Sequence, residues 1–98
     1  MTKFTRNDYI LQCLAEECME VGQRISKSLR FGSTEVQPNT LYNNITRISA
    51  EVNDLLGMID LSHQEIPGFA IVEEQLEAKK VKFEKFFEYS KSLGIIEE

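Results

Sequence analysis

Two groups of carboxylates in the 98-residue chain share a spacing that could hold a cation. Glu16, Glu17 and Glu20 form an EExxE word, and after a gap of thirty residues come Glu51-Val-Asn-Asp54, an ExxD word. On a helix, at ~100° per residue, Glu17 and Glu20 lie about 60° apart around the axis and one turn apart along it, and Glu51 and Asp54 repeat that relation. Glu17 falls on the shoulder of an apolar stripe, between Leu14 and Val21, and Glu51 flanks Ile48 and Val52. If the two helices pack antiparallel through these stripes, four carboxylates converge at one edge of the interface. A single acidic pair on a solvated face costs only about 0.2–0.5 kcal/mol and needs no function. Two pairs beside a packed stripe are a different matter, because clustered carboxylates at the edge of a core are unfavourable without a compensating cation. All-oxygen ligation suits Mg²⁺, with Mn²⁺ as a substitute, rather than zinc or copper. A carboxylate di-iron site would want Glu-x-x-His, which no helix here carries.

The opposite charge lies further on. Between Leu76 and Phe83 the apolar pattern should be refilled at position 79 or 80, yet both are Lys, and Lys82 and Lys85 follow. Lys27 and Arg30 add positive charge at the end of the first helix. An isolated lysine at such a position usually packs its stem and leaves the ammonium in water. Carboxylates for a metal, with Lys79, Lys80, Lys82 and Lys27 to neutralise phosphate oxygens, are the components of a polyphosphate site. Asn44 falls on the same angular stripe as Glu51, about two turns before it, which makes it a candidate for contact with a base. An Asn near a helix start is more often a cap.

Three long helices must position these residues. The first begins near Thr5, where Thr5-Arg-Asn-Asp8 has the form of a capping box. Ile10, Leu14, Cys18, Val21, Ile25 and Leu29 recur along it at threes and fours, and Gly32 marks its end. A polar connection with Pro38 follows. The second helix is expected from Asn39 or Thr40, carrying Leu41, Ile45, Ile48, Val52, Leu55 or Leu56, and Ile59, and fading before Pro67-Gly68. The third runs from about Phe69 to Leu93, with Gly94 as its stop. Three such helices make an all-α antiparallel bundle, one domain over residues 1–98. Cys13, Met19, Phe31, Met58, Phe86 and Tyr89 fall outside the main stripes. A short chain buries a limited core alone, so completion by a homodimer or homotetramer is expected. Close helix–helix approach would explain Gly22.

Bulk features narrow the function classes. The formal charge of −5 and pI of about 4.9 make duplex nucleic acid a poor partner. No apolar run approaches the ~18–20 residues of a membrane span, and the N-terminus lacks the apolar stretch of a signal peptide, so a cytoplasmic location is expected and no membrane partner. Cys13 and Cys18 fit neither a redox motif nor a zinc knuckle and read as free thiols. His63, in a polar stretch, reads as a loop residue.

The words EExxE and ExxD, with LAEECMEVGQRISKSLRFG, EVNDLLGMIDL and KVKFEKFFEYSKSLG around them, resemble the MazG-like all-α nucleoside triphosphate pyrophosphohydrolases, in their compact single-domain form often encoded by phages and mobile elements. The resemblance covers about Ile10 to Gly94. It implies Mg²⁺-dependent hydrolysis of a (d)NTP between the α and β phosphates, giving (d)NMP and pyrophosphate, in nucleotide-pool control or house-cleaning. It further implies Glu17, Glu20, Glu51 and Asp54 as metal ligands, and Glu16 as an accessory that orients or deprotonates water. In the family's basic helix, Lys82-Phe83 match a Lys-Phe pair and Lys85 a first Arg, while Phe86 replaces a second Arg. The rival reading is a non-catalytic helical interaction module that retains the bundle.

Overall fold

The computed structural model describes residues 3–97; residues 1, 2 and 98 of the expected domain lie outside the described residues. The chain is all-helical, with α1 (Arg6–Phe31), α2 (Asn44–Glu65) and α3 (Glu73–Ser92). Among the described residues there is no strand, only an isolated antiparallel bridge between Val36 and Asn43.

Local chemistry sets the helix ends. At α1 the capping box forms, with Thr5 Oγ1 accepting from Asp8 N and Asp8 Oδ2 accepting from Thr5 N, both at 3.0 Å. Gly32 ends the helix at φ 96°, a region that favours glycine, and its N–H donates to Ser28 O at 2.8 Å. The second helix starts at Asn44, later than the Asn39 or Thr40 expected from its pattern. Asn39 adopts φ 65°, which no helix accommodates, and Thr40 Oγ1 donates to Gln37 O in a turn. Asn43 is the cap, its Oδ1 accepting from Thr46 N at 2.9 Å. Leu41, expected on the α2 stripe, therefore sits in the loop and is 86% exposed. His63 belongs to the last turn of α2 rather than to a loop, with Nδ1 3.1 Å from Phe69 O across the Pro67-Gly68 turn. The third helix begins at Glu73, after Phe69, with Glu73 and Glu74 favourably placed at its positive end.

The first two helices pack antiparallel. Arg6 at the start of α1 pairs with Glu65 at the end of α2, Nε to Oε1 at 2.6 Å. At the other end Asn44 Nδ2 donates to Gly32 O and Glu35 Oε1, each at 2.8 Å. The inward positions of α1 are Ile10, Leu14, Glu17, Val21, Arg24 and Ser28, and those of α2 are Asn44, Ile48, Glu51, Leu55, Met58, Ser62 and Glu65. Both series alternate steps of three and four, the spacing of a coiled-coil seam. Cys18, Ile25 and Leu29, assigned to the stripe of α1 by their apolar character, turn outward, and Met58 turns inward. The seam is thus partly charged, and Ile10 is the only large apolar side chain among the described residues that is fully buried. Gly22 is not a point of close approach: a Cβ there would meet nothing within 4 Å.

The third helix does not join this pair. No residue of α3 comes within 8 Å, Cα to Cα, of α1 or α2. Its apolar residues Leu76, Val81, Phe83, Phe86 and Tyr89 are all more than half exposed, and Phe83 and Phe87 stack on each other at 5.9 Å. One chain therefore forms a helical hairpin with an outlying third helix. Its radius of gyration is 17.5 Å, against about 13 Å for a compact domain of this length. Its accessible surface is 7976 Å², against about 5,700 Å² for a compact monomer of this mass.

Candidate cation site

Where the hairpin seam should be apolar, Glu17 and Glu51 enter it from opposite helices, and Asp54 stands one turn beyond Glu51 on the outer side. One carboxylate oxygen from each of the three lies within 4.8 Å of the others. Glu17 and Glu51 are half-buried; Asp54 is exposed. Glu17 Oε2 and Glu51 Oε2 are shut off from solvent and accept no hydrogen bond. Leaving a charged acceptor without a partner away from water is costly, and such groups ordinarily neutralise or find a cation.

Glu20 borders the same cluster. Its carboxyl is raised above its ordinary value of 4.5, chiefly by repulsion from Glu17, then by desolvation, then by Glu51, and last by Glu16. Glu16 is exposed on the outer side, its Oε1 accepting from Gln12 Nε2 at 3.4 Å. Glu17, Glu20, Glu51 and Asp54 thus gather at one level of the hairpin, and Glu16 stands outside them. An octahedral Mg²⁺ with oxygen ligands at ~2.1 Å spans about 4.2 Å between opposite ligands. Small side-chain adjustments would bring oxygens now within 4.8 Å of one another onto such an ion. The donor set, all carboxylate oxygen with two of its atoms unpartnered, fits Mg²⁺ or Mn²⁺.

The expected phosphate ligands are divided. Lys27 is half-buried on α1, on the same side as Glu20. Lys79, Lys80 and Lys82 are exposed on α3, away from the hairpin, so within one chain they do not face the carboxylates. Lys80 Nζ pairs with Glu77 on its own helix at 3.0 Å, and the Lys82 ammonium lies 5.8 Å from the Phe86 ring centre. Asn44 does not face the site either. It is 2% exposed, and both amide hydrogens are used by Gly32 O and Glu35 Oε1, so it ties the loop to the start of α2 rather than offering itself to a base. Arg24, outside the apolar pattern of α1, occupies a seam position seven residues after Glu17, a spacing that marks it as facing the partner helix.

Comparisons with protein-family models, with curated proteins and with solved structures return no match for this chain. Among the described residues, no helix is long and apolar enough to cross a membrane.

Proposed function

We propose that the chain is a Mg²⁺-dependent nucleoside triphosphate pyrophosphohydrolase of the MazG-like all-α kind, converting (d)NTPs to (d)NMP and pyrophosphate. The observation that carries this reading is the meeting of Glu17, Glu51 and Asp54 across the hairpin, with buried carboxylate oxygens that have no partner. The resemblance of EExxE and ExxD to that family supplies the reaction.

Glu17, Glu20, Glu51 and Asp54 would hold the metal, which when bound lowers the pKa of water and offsets charge on the phosphates. The side chains of the hairpin do the rest. The seam fixes Glu17 and Glu51 on two packed helices, so their separation is set before substrate arrives. Glu16, outside the ligand group and open to solvent, takes the proton of the attacking water. Attack at the α-phosphorus breaks the bond to the bridging oxygen, and pyrophosphate departs with the electron pair. No Ser, Cys or His nucleophile is needed.

A homodimer or homotetramer completes the molecule in this reading. The surface in excess of a compact monomer, about 2,200 Å², is of the order that one subunit of a permanent oligomer hides. Its formation would close the bundle around α3 and would let Lys79, Lys80 and Lys82 reach the carboxylates of a second copy. The same apolar surface of α3 favours a second reading, a helical interaction module without turnover. Purified full chain incubated with Mg²⁺ and a panel of NTPs and dNTPs separates the two. The enzyme releases pyrophosphate, and Glu17→Ala and Asp54→Ala each lower the rate by about a hundredfold or more. Absence of product from every nucleotide leaves the interaction module.

A further inference from the structure

The hairpin separates its charges instead of pairing them. On one side of the level of Val21 stand Glu16, Glu17 and Glu20, with Glu51 and Asp54 across from them. On the other stand Arg24 and Lys27 of α1 and Arg47 of α2. The ion pairs among the described residues are Arg6–Glu65, Lys80–Glu77 and Lys91–Glu88, so neither set is neutralised by the other. Arg47 at least donates to Gln37 Oε1 in the loop. Arg24 has no such partner: its Nη1 is shut off from solvent and makes no hydrogen bond. A snorkelling arginine keeps its guanidinium in water, whereas Arg24 is half-buried and holds Nη1 away from solvent. A seam position ordinarily takes an apolar residue, and a buried donor left without an acceptor costs stability.

We propose that Arg24, assisted by Lys27, is the phosphate-binding group of the cation site, supplied by the same chain as the carboxylates. This rests on the polyphosphate reading above. Arg24 follows Glu17 by seven residues and Glu20 by four, so it shares their face of α1 and lies one to two turns further along. Side chains on a helix lean toward its N-terminus, which carries the Arg24 guanidinium back toward the carboxylates. The antiparallel register puts it level with the Arg47–Glu51 turn of α2. A metal-bound polyphosphate lying along the seam places anionic oxygens beyond the carboxylates, where the planar donor fork of Arg24 gives them the charge-assisted hydrogen bonds that the chain itself does not use. Lys27, one turn further and half-buried at the edge of the same face, adds a point charge. The polyphosphate then runs toward the Gly32 loop.

The test is titration of the full chain, in Mg²⁺, with the α,β-methylene analogue of dATP, which cannot be cleaved at the proposed bond. Arg24→Gln should weaken its binding about tenfold or more, while Mn²⁺ binding without nucleotide stays within about twofold of wild type. Arg24→Met keeps the apolar stem and should show the same loss, which guards against a variant that fails to pack. Arg30→Gln removes a cation stacked on Phe31 at the end of α1, 4.9 Å from the ring centre, and should leave affinity unchanged. Wild-type affinity in Arg24→Gln or Arg24→Met, or a loss no larger than that of Arg30→Gln, overturns the assignment while leaving the pyrophosphohydrolase reading in place. A wild-type chain that binds Mn²⁺ but none of the α,β-methylene analogues of the four dNTPs and four NTPs overturns both.

Discussion

Repulsion within the carboxylate cluster registers on Glu20. Its carboxyl is held above the ordinary 4.5, first by Glu17, so the folded chain keeps this proton more tightly than the unfolded chain does. Its contribution to stability is therefore complete below the ordinary value and is lost as pH rises through the raised one. Asp8, lowered by its hydrogen bonds with Thr5, and Glu65, lowered by Arg6, act in the other direction. Their contributions are present above 3.8 and 4.5 and are lost as pH falls. In a chelator, thermal unfolding followed by circular dichroism should give a maximum in the carboxylate range and a decline toward neutral pH. Added Mg²⁺ should abolish the decline, because a cation replaces the proton. A metal-free Tm that keeps climbing to neutrality contradicts the cluster. At this scale the acidic words were legible, because i, i+3 spacing alone puts two carboxylates on one face. Arg24 was not, because the stripe of α1 was drawn through apolar residues, whereas the packed seam passes through Glu17 and Arg24.

Helix ends follow local hydrogen bonding, and the ends legible in the sequence were those with a short-range signature. Thr5-x-x-Asp8 and Gly32 are of that kind. The start of α2 was not, since the true cap, Asn43, follows a loop whose bridge to Val36 and hydrogen bonds to Ser33 and Glu35 depend on the fold. Outward rotation of Cys18, Ile25 and Leu29 has the same origin: only the partner helix decides which of two neighbouring stripes faces inward. Gly22 and Gly57 bear on the elements directly. Both are in helix interiors, and a Cβ at either meets nothing within 4 Å. Replacement by Ala should raise unfolding free energy by about 0.5–1 kcal/mol at each site, measured by urea denaturation. A loss of stability at either position means that another surface covers it.

As a whole, the molecule is too open for its mass. A hairpin with one fully buried large apolar residue among the described residues, and a third helix with no Cα within 8 Å of either other helix, leaves much apolar surface to be covered. The sequence pattern suggested this through apolar residues outside the main stripes, but it could not say that α3 would stand apart, since an amphipathic helix reads alike whether its partner is in the same chain or another. Light scattering of the purified chain should return a dimer or tetramer, and a strictly monomeric species would contradict the assembly. The proposed activity is tested most directly by product analysis after incubation of the full chain with dNTPs, with Mg²⁺ and with a chelator. Equal amounts of dNMP and pyrophosphate are expected in Mg²⁺ and none in the chelator; no product from any nucleotide, or release of orthophosphate and dNDP, would contradict that activity.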